Sequence, residues 1–194
     1  MKTGAQAVLS RHRFDVDEYH AMVRAGILME GDRVELIDGE LVEMHTIGSR
    51  HAACVNRLTR LLVTALGDRA LISIQNPVGL DRYSEPQPDV LVLRPRADDY
   101  ATAHPGPPDT LLAIEVADSS LAYDRTIKLP LYAKTGVPEV WIVDLAAAAV
   151  DVHREPSSEG YRHFERTTEG RIAPAAFPGL ELELADILPP EPSD

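Results

Sequence analysis

The sequence predicts an α/β or α+β fold built on a mixed central β-sheet flanked by helices. Three observations carry that prediction. Two continuous apolar runs, "DVLVL" at Asp89–Leu93 and "LLAIEV" at Leu111–Val116, have strand length and read as buried strands. A third run, "EVWIVDL" at Glu139–Leu145, has the same character. Segments with helical periodicity stand before and between these runs, giving the order helix, hairpin, helix, strands, helix, strand. The 194 residues suffice for one domain with a real core. We read a single domain over 1–194, with a core of about 14–145, a small antiparallel β extension of about 149–188 and a mobile tail at 189–194.

Each element has a local reason. Phe14–Ala25 reads as a short helix with acids in its first turn and Gly26 at its end. In "RVELIDGELVEM", Arg33–Met44, Asp38-Gly39 is a two-residue hairpin signal between alternating apolar positions. Ser49–Leu66 reads as a long helix with Ser49 as N-cap, Gly67 as stop and an apolar stripe of Val55, Leu58, Leu62 and Leu66. Leu71–Gln75 and Val78–Leu80 read as short strands, and the Pro- and Gly-rich segment after Leu93 as a loop. Asp124–Thr135 is a helix ended by Gly136. Ala149–His153, Tyr161–Arg166 and Leu180–Leu184 make the β extension.

Composition narrows the function classes. No stretch approaches the roughly 18 apolar residues of a membrane span. The N-terminal stretch "MKTGAQAVLSRHRF" has no apolar signal-peptide core, and the single cysteine, Cys54, fits a reducing cytoplasm. Cys54 itself reads as buried and inert. No Cys/His spacing suggests structural zinc. The formal net charge of −12 opposes a polyanionic partner, but it is unevenly spread. Residues 15–43 carry −7, residues 181–194 carry −5, and the remainder is neutral. Nucleic acid would therefore meet a local face rather than a global positive field.

The informative feature is a carboxylate inside each of two buried strands, Asp89 and Glu115, 26 positions apart. Burying an unpaired carboxylate costs several kcal/mol. A divalent metal shared by the two would remove that cost, and Mg²⁺ takes carboxylate, water and phosphate oxygens. The blander reading has Asp89 capping a turn after Pro88 and Glu115 pairing with a buried Arg. Asp124, Lys128 and Tyr132 recur at i, i+4 and i+8 on one helical face. If that helix packs beside the Glu115 strand, Lys128 points toward the same place. Pro130 complicates the helix. A start near Thr126 puts Pro130 in the first turn, whereas a start near Tyr123 predicts a kink close to Lys128.

Together "PQPDVLVL", "LLAIEVADSS", "YDRTIKLPLYAKTGVPEVWIVD" and "RVELIDGELVEM" with the downstream Arg50-His51 pair resemble the Uma-type endonucleases. That bacterial family belongs to the PD-(D/E)XK, restriction-endonuclease-like superfamily. The resemblance spans roughly Phe14 to Leu184. It implies a nuclease core with a mixed sheet, and hydrolysis of nucleic-acid phosphodiesters that depends on Mg²⁺, with Mn²⁺ able to substitute. It maps metal-binding roles onto Asp89 and Glu115, with the Val116 carbonyl as a further ligand. Most superfamily members carry a Lys two residues after the Glu, where this chain has Ala117. The family pattern instead resembles a Lys moved to the following helix, here Lys128. The implied partner is DNA, double-stranded or branched.

Other residues have weaker claims. Glu35 is read as an exposed strand carboxylate, although the superfamily often adds an acid from an early element. His51, one turn before Val55, either faces the site or is a hydrogen-bonded structural histidine. Gln75 is a strand-end residue that could reach phosphate or water. Arg50, Arg57 and Arg60 form a helix stripe that is either solvated or in contact with a DNA backbone. Tyr132 and Trp141 read as core aromatics, and Asp124 as a helix cap. Oligomeric state is not encoded visibly, and a homodimer is the general expectation. Two rivals stand beside the nuclease reading: a non-catalytic interaction protein on the same fold, suggested by Ala117 and the acidic surface, and an enzyme for a small phosphorylated substrate.

Overall fold

The computed structural model describes residues 11–29, 31–44 and 46–190. The expected mobile tail lies outside the described residues from position 191 onward, as does most of the N-terminal stretch. Helix α1 (Val16–Arg24) starts at Asp15, whose side chain accepts from the Glu18 amide while Glu18 accepts from the Asp15 amide. This reciprocal box satisfies two donors that a helix start otherwise orphans. Strands β1 (Val34–Ile37) and β2 (Glu40–Glu43) form the expected hairpin. Asp38 and Gly39 both take positive φ, +49° and +83°, as a tight two-residue turn requires.

Helix α2 (Ser49–Leu66) buries Cys54 and the expected stripe of Val55, Leu58, Leu62 and Leu66. Its cap is Gly48 rather than Ser49, and no side chain bonds the first turn. Gly48 is extended (φ −78°, ψ 161°) and leaves Ser49 already helical. A Cβ at Gly48 would lie 3.4 Å from an Asp118 carboxylate oxygen, an ordinary van der Waals contact, so the cap position does not itself demand glycine.

Among the described residues the main sheet has six strands. They are β3 (Leu71–Ile74), β4 (Val90–Leu93), β5 (Thr110–Ala117), β6 (Glu139–Asp144), β7 (Ala149–Ser157) and β8 (Gly160–Thr167), adjacent in chain order. Neighbours are antiparallel except β5 and β6, which are parallel. The parts of the β extension expected at 149–153 and 161–166 thus continue the main sheet. Separate from it, β9 (Arg171–Ile172) pairs with β10 (Leu182–Glu183), followed by α5 (Leu184–Ile187). Val78–Leu80 is not a strand. Its amides turn inward on the local loop, Val78 to the Pro86 carbonyl and Leu80 to the Ser84 carbonyl, so no neighbouring strand is recruited.

Alternation along β4 and β5 sorts the core into two layers. Val90, Val92, Leu112, Ile114 and Val116 pack with α2 and α5. Leu91, Leu93, Ala113 and Ala117 pack with Leu131 and Tyr132 of the β5–β6 crossover. The crossover is not the uniform helix expected over Asp124–Thr135. It begins as α3 (Leu121–Tyr123), widens into a π-helical turn over Asp124–Lys128, and resumes as α4 (Leu129–Thr135). Pro130 supplies the reason: it has no N–H for the preceding turn, and its ring crowds the carbonyl four residues back. Gly136 closes α4 in the left-handed region, φ +88°. No helix of the described residues is long and apolar enough to cross a membrane.

Candidate functional site

The register pairs Val90 with Ile114, so Asp89, which lies one residue before β4 rather than inside the strand as expected and is only partly buried, comes opposite Glu115. Directly opposed residues on antiparallel strands lie on one face with Cβ atoms about 4.5–5.5 Å apart. A cleft of about 370 Å³ opens at this point. It is lined among others by Glu35, His51, Gln75, Asp89, Glu115 and Lys128.

Three donors hold Asp89. His51 Nε2 lies 3.0 Å from Oδ2, the Val116 amide donates to Oδ2 at 2.9 Å, and Gln75 Nε2 donates to Oδ1 at 3.1 Å. Burial alone would raise the Asp89 pKa, but the His51 contact and the two other donors bring it below the ordinary carboxylate value. Gln75 reaches this position because its backbone turns left-handed, φ +51°, immediately after β3 ends. Such a conformation costs a non-glycine residue on the order of 1–2 kcal/mol. Here it ends the strand and swings the amide side chain toward Asp89.

Glu115 is more deeply enclosed. Its Oε1 accepts from the Tyr132 hydroxyl at 2.6 Å and lies 3.3 Å from Lys128 Nζ. The same ammonium lies 3.2 Å from Glu35 Oε2. Glu35 is buried, only 1% exposed, which corrects the expectation of a surface carboxylate. Its oxygens also take the Gln87 amide at 3.1 Å and the Tyr123 hydroxyl at 3.3 Å. The hairpin packs against the crossover, and burial is tolerated because Lys128 and two neutral donors satisfy the charge.

Burial pushes Glu115 up to about 8 against the pull of Lys128. The Lys128 ammonium is itself disfavoured by burial, yet Glu115, Glu35 and Asp124 together hold it above its ordinary value. The two shifts compete, since each partner's charge supports the other's. The geometry favours a charged ammonium, because two carboxylates lie within 3.3 Å of it. Asp124 is also buried and raised by that burial, with the Ser120 hydroxyl donating to it at 2.6 Å. It therefore does not cap its helix as expected. Sequence reasoning assigned Tyr132 to the core and passed over Tyr123 and Gln87. The signals were there, since Tyr132 follows Lys128 by one helical turn and Gln87 precedes Asp89 by two residues.

The arginine stripe falls elsewhere. Arg50, Arg57 and Arg60 do not line the cleft. Arg50 donates to the Leu145 carbonyl at 3.3 Å, while Arg57 donates to the Ala185 and Asp186 carbonyls at 3.4 and 3.3 Å. Arg57 thus fastens α2 to the C-terminal segment, so it is not a free phosphate contact. Arg60 is exposed. Tyr132 and Trp141 are buried as expected, with the Trp141 indole donating to Glu139 at 2.8 Å.

No curated protein matches the chain. Among solved structures, it is similar to a "putative nuclease belonging to DUF820" from Anabaena variabilis, with a TM-score of 0.71 and 17% identity. That match covers 90% of this chain and 97% of the other, and establishes likeness of fold. The profile of the Uma2 family, described as "Putative restriction endonuclease", matches residues 16–185. That span takes in α1, the hairpin, all six strands of the main sheet and every cleft residue named above, and the chain belongs to the Uma2 family.

Proposed function

We propose that this protein is a Mg²⁺-dependent endonuclease acting on DNA, with Mn²⁺ able to replace Mg²⁺. The observation that carries the reading is Lys128. It follows Glu115 by 13 residues, yet its ammonium lies 3.3 Å from the Glu115 carboxylate. A lysine lost at position 117 is thereby matched by one arriving from the crossover. The donor set fits a hard divalent cation. Asp89 and Glu115 are opposed carboxylates, the Val116 carbonyl is the adjacent candidate ligand, and the cleft leaves room for water and phosphate oxygens. Acids outnumber bases along the lining, where Asp32, Glu43, Asp118 and Asp124 join the three central carboxylates against Arg33 and Lys128. A phosphodiester would enter such a field poorly without a cation.

When bound, Mg²⁺ supplies charge neutralisation for the phosphodiester and its transition state. The remaining work falls to the chain. His51 and Gln75 fix the orientation of Asp89, and Tyr132 fixes that of Glu115. Lys128 presents N–H donors and positive charge where charge develops on a phosphate oxygen or an attacking water. Cys54 takes no part: it is buried, and burial pushes its thiol up to about 12. A lone buried thiol also suits a reducing cytoplasm.

The test is cleavage of supercoiled, linear duplex, single-stranded and branched DNA with Mg²⁺, Mn²⁺ or EDTA. Cleavage should require the divalent ion. It should vanish in Asp89→Asn and Glu115→Gln, and fall about 10²-fold or more in Lys128→Ala while metal binding persists. Metal binding without hydrolysis of any nucleic acid would overturn the nuclease reading. It would favour the non-catalytic protein, or, if a phosphorylated small molecule were hydrolysed, the third reading.

A further inference from the structure

Outside this cleft, three ligand-type side chains from distant parts of the chain meet. His20 of α1, Glu85 from the loop between β3 and β4, and His104 from the loop between β4 and β5 bring their donor atoms within 4.8 Å of one another. His20 Nε2 lies 2.8 Å from Glu85 Oε1. The His104 ring stands edge-on to His20, with centroids 6.1 Å apart.

We propose that His20, Glu85 and His104 form a binding site for a first-row transition cation of the Zn²⁺ class, separate from the Asp89/Glu115 site. Two imidazoles and one carboxylate are a borderline donor set that selects zinc over Mg²⁺, and three protein ligands leave a fourth position for water. Two ligand atoms of one tetrahedral zinc lie about 3.4 Å apart, from Zn–N and Zn–O distances near 2.1 Å. The three donor atoms bracket that value, from 2.8 Å between His20 and Glu85 up to the 4.8 Å limit for the set, and the exposed His104 ring is the one with most room to adjust.

The backbones carrying the ligands are already fixed. The Glu85 amide donates to the Leu36 carbonyl at 2.8 Å, and the Gly79 amide donates to the Pro105 carbonyl at 2.9 Å, next to His104. Tyr19, beside His20, donates its hydroxyl to the Val34 carbonyl at 2.9 Å. Glu85 is 4% exposed, so among its neighbours a cation is a more complete partner than a single hydrogen bond. A bound ion would clip α1 and the β4–β5 loop onto the segment that runs from Glu85 to Asp89. It would hold in place the segment that brings Gln87 and Asp89 to the cleft without supplying a group to the proposed chemistry.

The experiment uses the full chain stripped of metal, titrated calorimetrically with Zn²⁺ in excess Mg²⁺. The Asp89→Asn/Glu115→Gln double variant is the main background, because it separates this site from the proposed nuclease centre. One Zn²⁺ should bind per chain there, and His104→Ala should weaken it at least about tenfold, as loss of a ligand requires. Since His104 is exposed, that variant should keep its far-ultraviolet spectrum. Co²⁺ should give the visible absorption of a tetrahedral nitrogen and oxygen site, absent in His104→Ala and His20→Ala. Zn²⁺ should also raise the Tm of the double variant but not of His104→Ala. Zn²⁺ affinity that is unchanged in His104→Ala, or that disappears in the double variant, would overturn the proposal while leaving the nuclease reading untouched.

Discussion

Replacing Lys128 by Met would leave Glu35 and Glu115, both at most 3% exposed, facing each other with no cation between them. Breaking a buried pair in this way costs roughly 3–5 kcal/mol. Urea denaturation should show a loss of that order, and Glu35→Gln in the same chain should restore part of it by removing one uncompensated charge. Tyr132→Phe is milder. It deletes the hydroxyl that donates to Glu115 at 2.6 Å and leaves a buried acceptor short of one donor, at a cost of about 1–3 kcal/mol. Urea midpoints should order the chains as wild type, Tyr132→Phe, then Lys128→Met. Glu115 stood out in the sequence because a carboxylate inside an apolar strand breaks a simple pattern, and Asp89 because it stands directly before one. Glu35 did not. Its alternation is that of any half-exposed hairpin, and what buries it is a lysine more than 90 residues away.

At the scale of elements, the π-helical turn over Asp124–Lys128 sets where the ammonium points. Pro130→Ala removes the steric reason for that turn. The crossover should then relax toward α-helical geometry, with Tm unchanged or higher because Ala favours helix by up to about 3 kcal/mol over Pro in a helix interior. Cleavage should fall, on the order of 10²-fold if Lys128 shifts by about 1 Å. A Pro in a helix-period segment announces a distortion, but periodicity does not say on which side of the Pro the extra residue is accommodated. The β6–β8 side of the sheet is held differently. Arg125 from the crossover bonds Asp151 at 2.6 Å, and Arg166 of β8 bonds Asp151 at 2.6 Å and Asp144 at 2.9 Å. Burial would raise Asp144, yet the Arg166 bond and the Ala147 amide hold it below the ordinary value. A carboxyl depressed in the folded state stabilises above its unfolded pKa, near 3.9, and that contribution is lost as pH falls through the folded value. Asp144→Asn should therefore be less stable than wild type at pH 7, and chemical denaturation should show the gap closing below about pH 4.

For the molecule as a whole, the net charge of −12 limits how nucleic acid can be held. If DNA binds, affinity should fall as salt rises, but with a shallow slope reflecting few phosphate contacts. Arg57→Ala with Arg60→Ala should leave that slope unchanged, since Arg57 serves the Ala185 and Asp186 carbonyls. Fluorescence anisotropy over a salt series measures it, and a flattened slope would return the α2 stripe to the substrate surface. Strand composition revealed the central sheet, because buried strands are apolar wherever they sit. It did not reveal that β7 and β8 extend that sheet, since a half-exposed antiparallel pair reads alike on a main sheet or apart from it. The strand order also has a temporal side. Glu35, Asp89, Glu115, Lys128 and Tyr132 all precede β6, while β6 is the parallel neighbour that flanks β5. A chain emerging from the ribosome thus exposes these five residues of the proposed site before the second half of its sheet exists. Until Glu139–Asp144 emerges and docks, the strand bearing Glu115 has one open edge, and the nascent protein holds the proposed site without the rigidity of the finished sheet.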